Sequence, residues 1–360
     1  RIFALYALQV SSGTQILGTN AGKVSSSQLL TLLVTLPVSS ASPADNSSSM
    51  HIVVLPFPLQ GHLNPCLMLA RMLASQGFTF TFVLTEQLAS KLEEGGTSEA
   101  SDSIRHATIP DEAASKSANS GPFSFPRTLE MVDRLRPSFE TLLSKLVSSP
   151  LGVSCIIIDC FVLWGKQVAS KFNIPAFAFY TTNAHTFTVS CHTRALVSKG
   201  FDDLENMVDD IPGLLPLRVR DLPQSIVEIP AFAVSLTEDF QKTAGIIFNT
   251  VAELEKEPLE VLRSQVPCYT IGPMTLMLDT GKLAGVQTVG LWAAERECLD
   301  WLNTRPDSSV LFVAFGSLAN MGGDQVKELA EGLEASGQAF LWVIRTDDTL
   351  SNLFARGLSG

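Results

Sequence analysis

The sequence predicts an α/β protein in which parallel strands are covered by helices on both faces, organised as two domains. Three observations predict it. Short apolar runs rich in Ile, Val and Phe recur along the chain, the pattern of strands buried on both faces. Amphipathic stretches with helical spacing separate those runs. Gly, Pro and Ser punctuate the junctions.

The first unit runs from His51 to Gly77. Ile52 to Leu55 is its strand; Pro56 and Pro58 end the ladder by removing backbone donors, and Gly61 is expected to allow a sharp turn. Leu63, Leu67, Leu69, Ala70 and Leu73 then recur at helical spacing. Phe78 to Leu84 makes a second strand. From Glu86 to Pro126 the chain is polar, with Gly95-Gly96 and Gly121-Pro122. It is expected to be a long loop region with a short helix or strand inside, and loops of that length often wall a pocket. Arg127 to Val147 reads as one helix. Cys155 to Ile158 is a buried strand ending in Asp159, and Trp164 to Phe172 is a helix. Ala176 to Tyr180 is a strand leading into a helix that carries His185 and His192 on one face. Gly245 to Asn249 and Tyr269 to Ile271 are further strands, and Met274 to Trp292 reads as a linker. A second unit follows, with helix Glu295 to Asn303, strand Val310 to Phe315, turn Gly316-Ser317, helix Asp324 to Ser336 and strand Ala339 to Ile344.

Residues 1–49 begin without Met, are rich in Ser, Thr, Leu and Val, and contain Asp45 as their only acid. They read as a disordered leader outside the native protein, with Met50 the natural start. Composition narrows the function. With 360 residues, 46% hydrophobic and 17% charged, the chain is globular and long enough for two cores. A net charge of -11 without a Lys/Arg stripe argues against nucleic acid. No apolar run reaches the roughly 18 residues of a transmembrane helix. The six cysteines are scattered without a Cys-x-x-Cys pair, and the five histidines do not group with them. Reduced thiols, no metal site and a cytoplasmic location are therefore expected.

Two residues are the leading candidates for chemistry. Ligands of open α/β sheets bind beyond the carboxyl ends of the strands, where His62 stands at the entrance of the first helix. An imidazole there suits removal of a proton from a hydroxyl. Asp159 ends its strand at the same edge, where a carboxylate could orient that imidazole or, as a simpler role, cap the following helix. Gly316 and Ser317, after a strand of the second unit, would let backbone N–H groups and a hydroxyl approach a phosphate. No G-x-G-x-x-G follows a strand, and neither a P-loop nor a G-x-S-x-G elbow occurs, which counts against dehydrogenase, P-loop and serine-hydrolase readings.

The run PFPLQGHLNPCLMLARMLASQG, followed in order by CIIIDC, FAFYTTNAH, IIFNTVAELE, YTIGPM, ECLDWLN, SVLFVAFGS and LEASGQAFLWVIR, resembles the plant UDP-glycosyltransferases from Met50 to about Thr346. The resemblance implies a GT-B fold, two Rossmann-like domains facing each other, the first binding the acceptor and the second the UDP-sugar. It implies inverting transfer of a sugar, glucose or a related one, to a hydroxyl of a small hydrophobic molecule. His62 matches the family's general base, Asp159 its orienting acid and Thr181 a position contacting the donor sugar. Gly61 and Ser317 match positions near the donor phosphates. No metal or other cofactor is implied beyond UDP-sugar as co-substrate, and a monomer is expected. The family's Trp-x-Pro-Gln and His-Cys-Gly-Trp-Asn segments are absent. The expected organisation is therefore a leader (1–49), an acceptor domain (50–274), a linker (275–294) and the start of a donor domain left incomplete (295–360). An uncovered second sheet would follow from that organisation. The alternative reading is an inactive truncated fragment, or a non-catalytic small-molecule-binding module without a donor site.

Overall fold

The structure is a computed structural model describing residues 50–94, 103–111, 125–272, 274, 297–316 and 321–343. The described residues divide into two compact units, those before 292 and those after it. In the first unit, seven parallel strands form one sheet in the order β3-β2-β1-β4-β5-β8-β9. They are β1 (His51–Leu55), β2 (Thr79–Thr85), β3 (Ile104–Ile109), β4 (Cys155–Asp159), β5 (Ala176–Tyr180), β8 (Gly245–Phe248) and β9 (Cys268–Thr270). A small antiparallel ribbon, β6 (Met207–Val208) with β7 (Leu217–Arg218), stands apart from that sheet.

The helices of this unit are α1 (Gln60–Ala74), α2 (Glu86–Glu94), α3 (Phe125–Arg134), α4 (Arg136–Val147), α5 (Gly165–Lys171), α6 (Ala184–Cys191), α7 (Thr193–Lys199), α8 (Gln224–Glu228), α9 (Pro230–Thr237) and α10 (Lys256–Arg263). Strand β1 shows why both faces need cover. Side chains alternate across a strand, so Ile52 and Val54 enter the core built by Leu63, Leu69 and Leu73 of α1, while Val53 and Leu55 enter the core of Phe139, Leu143 and Val168. All five β1 residues are buried. At its amino end the buried His51 ring bonds the Gly152 carbonyl through Nδ1 and the Thr81 hydroxyl through Nε2.

The order of strands positions the site. From β1 the chain moves outward through β2 to β3, then returns to lay β4 on the other side of β1. The sheet therefore has a topological switch point between β1 and β4, and crevices at such points take ligands.

Several sequence expectations need correction. Gly61 does not make the turn: Pro58 and Leu59 do, the helix begins at Gln60, and Gly61 lies within its first turn. The Leu59 carbonyl accepts the N–H groups of His62 and Leu63, which starts the helix one residue early. The polar stretch, expected as a loop region with a short helix or strand inside, contains one of each, α2 and the edge strand β3. Residues 95–102 and 112–124 of that stretch lie outside the described residues. The single helix expected over Arg127 to Val147 breaks at Leu135, because Pro137 belongs in a first turn and supplies the start of α4. His185 and His192 do not share a helix: His192 sits at the junction of α6 and α7, its Nδ1 bonded to the Thr188 carbonyl.

The second unit contains α11 (Glu297–Asn303), β10 (Val310–Ala314), α12 (Gly323–Ala335) and β11 (Ala339–Val343), with β10 and β11 parallel. Val326, Ala330 and Leu333 bury one stripe of α12. Leu311 (49%) and Phe312 (65%) of β10 and Val343 (57%) of β11 are exposed, so among the described residues these strands are not buried on both faces as β1 is.

Candidate active site

The site forms at the carboxyl edge of β1 and β4, the two strands flanking the switch point. His62 stands in the first turn of α1, and Asp159 is the last residue of β4. Their side chains meet: the Nδ1–H of His62 donates to Asp159 Oδ2 at 2.9 Å. Asp159 is fully buried and the His62 side chain is 12% exposed. The other carboxylate oxygen, Oδ1, accepts the Phe161 backbone N–H at 2.9 Å. Of the two roles that the sequence left as alternatives, Asp159 meets the imidazole and does not cap the following helix. The donor lies in the turn after β4 and does not open the next helix, α5, whose N-cap is Trp164. A carboxylate on Nδ1 fixes the tautomer that leaves the Nε2 lone pair free, and it stabilises the imidazolium formed when Nε2 takes a proton.

Thr181, the first residue after β5, places its hydroxyl 3.4 Å from the same Nδ1. The structure therefore brings together three residues singled out in the sequence, His62, Asp159 and Thr181, from the ends of three adjacent elements. Gly61, the neighbour of His62, is exposed, with open space where a Cβ would stand. Gly316 follows β10 with a φ of +76°, a left-handed conformation that favours glycine. It belongs to the second unit. Ser317 lies outside the described residues.

An aromatic wall beside the imidazole was not legible in the sequence. The Phe161 and Phe57 rings lie 4.5 and 5.2 Å from the His62 ring, centroid to centroid. Phe161 also packs edge-on against Phe57, Phe125 and Phe232 at 5.5, 5.8 and 5.1 Å. Such edge-to-face arrangements are the preferred ones for aromatic pairs. The four phenylalanines come from four separate segments, so no local pattern announces them. Two thiols flank the pair, Cys66 one turn along α1 and Cys160 next to Asp159. Burial first, and then the Asp159 charge, push both thiols well above their ordinary range, which keeps them protonated and poor nucleophiles. Among the described residues no group of three His, Cys, Asp or Glu converges as a metal site. Among them, too, no helix is long and apolar enough to cross a membrane.

A second histidine–carboxylate pair was missed altogether. Glu255, the last residue of the run IIFNTVAELE, is buried and pairs with His185 Nδ1 at 2.7 Å.

Comparison with known proteins bears on this geometry. The family model described as glycosyltransferase, N-terminal domain, matches residues 48–276. The (R)-mandelonitrile beta-glucosyltransferase of Prunus dulcis is 35% identical over 333 residues, covering 84% of this chain and 68% of the relative. The 7-deoxyloganetin glucosyltransferase of Gardenia jasminoides is 34% identical over 325 residues, covering 82% and 67%. Among solved structures, Phytolacca americana UGT2 complexed with UDP-2fluoro-glucose and pterostilbene superposes with a TM-score of 0.67 at 25% identity, covering 83% of this chain and 67% of that one. A Polygonum tinctorium UDP-glucosyltransferase capable of glucosylating indoxyl, complexed with 3,4-dichloroaniline, gives 0.68 at 26% identity, covering 84% and 67%. The chain spans about two thirds of the length of these relatives.

Proposed function

The chain belongs to the plant UDP-glycosyltransferase family, and on that premise we propose that it serves the transfer of a sugar, glucose in this reading, from UDP to a hydroxyl of a small hydrophobic acceptor. The observation that carries the proposal is the His62–Asp159 hydrogen bond at the switch point of the sheet. Nε2 of His62 takes the acceptor's hydroxyl proton while the acceptor oxygen attacks C1 of the sugar. The bond from C1 to the UDP oxygen breaks as the new C1–O bond forms, so one displacement inverts the configuration at C1. UDP leaves with the electron pair, and His62 later gives its proton to solvent. Asp159 supports the positive charge on the ring during transfer.

The aromatic wall supports a planar, apolar acceptor: Phe161 and Phe125, both partly exposed, offer the face beside the imidazole, and the buried Phe57 and Phe232 pack against them. A flat ring stacked there would bring its hydroxyl to Nε2 with little loss of conformational freedom. Thr181, Gly61, Gly316 and Ser317 are assigned to the donor, Thr181 to its sugar and the others to its phosphates. The open space beside Gly61 is what a phosphate near a helix start would use. Domain roles are part of the same reading, with acceptor binding in 50–274 and donor binding from 295 onward.

The test is turnover of UDP-glucose with a phenolic acceptor, comparing the chain with its His62→Ala variant. The variant is expected to lose transfer while UDP-glucose binding, followed by calorimetry, is retained. Near-unchanged turnover in the variant would remove His62 as the base.

A further inference from the structure

Among the described residues two carboxylates are buried, Asp159 and Glu255, and the reaction as read above uses only the first. Glu255 stands just before α10 but spends its side chain on another helix. Its Oε2 accepts the Ala184 N–H at 2.8 Å, and its Oε1 accepts the His185 N–H at 3.1 Å as well as facing His185 Nδ1 at 2.7 Å. Asn183 completes the set, its Oδ1 accepting the Thr186 N–H at 2.8 Å. The three leading backbone donors of α6, orphans in any helix, are therefore all engaged. Burial alone would raise the Glu255 carboxyl, but hydrogen bonds from the His185 side chain and the Ala184 N–H, among others, hold it below its ordinary range, so it stays charged against the positive helix end.

The consequence lies upstream. Tyr180 is pinned at the end of β5, where its carbonyl accepts the Asn249 N–H at 3.2 Å. Between that fixed point and the anchored Ala184 only Thr181, Thr182 and Asn183 remain. Three residues span at most about 11 Å, and here both ends are held, which leaves the segment little room to wander. Thr181 is the residue that lies against the His62 ring.

We propose that Glu255 is a positioning residue: by gripping the N-terminus of α6 it sets where Thr181 lies against His62. The proposal rests on the reading of His62 as the proton acceptor, but its test does not. The full chain carries five histidines, so labelling them with nitrogen-15 gives a sparse spectrum of ring resonances. That of His62 is assigned by its loss in His62→Gln. Glu255→Asp keeps the charge but withdraws the carboxylate by one methylene, whereas Glu255→Gln keeps the reach but removes the charge. Glu255→Asp is expected to shift the His62 ring resonances, and the shift should fall to less than half when Thr181 is already Val. A double-mutant cycle of this kind isolates the path through Thr181. His51, at the opposite edge of the sheet, should not move and reports an intact fold.

His62 resonances unmoved in both Glu255 variants would overturn the proposal. So would a shift of equal size with and without Thr181, because it would then travel by another route. If Glu255→Gln fails to fold, Glu255→Asp alone decides. In turnover, Glu255→Asp is expected to lower kcat/KM for UDP-glucose about tenfold, because Thr181 is also assigned to the donor sugar. An active His62→Ala variant would sink the base assignment and leave the resonance result standing.

Discussion

His62 with Asp159 and His185 with Glu255 are built from the same parts, an imidazole Nδ1 on a buried carboxylate at 2.9 and 2.7 Å. They differ in what surrounds the ring and in where the remaining carboxylate bonds go. The His62 side chain is 12% exposed and lies under Phe57 and Phe161, whereas the His185 side chain is 46% exposed. Asp159 gives its second oxygen to one backbone donor in its own turn, so the rest of its capacity serves the ring. Glu255 bonds two donors of a helix start besides its ring partner. A histidine–carboxylate hydrogen bond is thus common to both pairs, and what separates them is the shielding of the ring.

Experiments that exchange the expected roles test this contrast. The largest effect is expected from Asp159→Asn, which retains size but can offer Nδ1 the wrong partner. Turnover should fall by roughly 10²- to 10⁴-fold with the fold intact by circular dichroism, and a loss below tenfold would make the two pairs equivalent. Phe161→Ala comes next: removing the ring that touches His62 and three other aromatics should raise KM for planar acceptors about tenfold. It should also cost roughly 1–3 kcal/mol in chemical denaturation, since the ring is only partly buried. His185→Ala leaves both helix donors on Glu255, so kcat should change by no more than about threefold. A larger loss in the same assay would promote His185 to a working group.

The smallest effect concerns pH. Burial lowers the folded-state titration of His51 below its ordinary value of 6.5, with the Arg105 charge acting in the same direction against the Gly152 bond. The unfolded chain then binds the proton more readily. The stability contributed by the neutral ring is full above about 6.5 and is lost as pH falls through the folded value. The melting temperature should therefore decline on acidification from pH 7, and less steeply in His51→Gln. Equal slopes would remove His51 as a source.

Legibility followed burial. Strands β1, β4, β5 and β8 could be read because nearly every residue in them is enclosed, so apolar runs mark them directly. Strand β3 could not, because as an edge strand it buries only Ile104 and Ile109 and exposes Arg105 and His106 between them. The ribbon of β6 and β7, two residues to a strand, is too short for any periodicity to register. The break at Leu135 was written in Pro137 but masked by apolar residues spaced helically on both sides. In the site, His62 and Asp159 stood out because each follows a readable strand. Phe125 and Phe232 did not, because their place beside Phe161 is set by long-range packing alone. Glu255 drew no reading of its own inside the run IIFNTVAELE, and only the position of α6 reveals its bonds to that helix.

The excursion of the chain from β1 out to β3 and back to β4 has a consequence in time. His62 and Asp159 are 97 residues apart in sequence, and closing so long a loop is paid in entropy before the contact rewards it. A partly folded chain that has joined β1 to β2 carries a lone imidazole. The pair exists only once β4 has docked beside β1, a pairing of long sequence separation and so of the intrinsically slow kind.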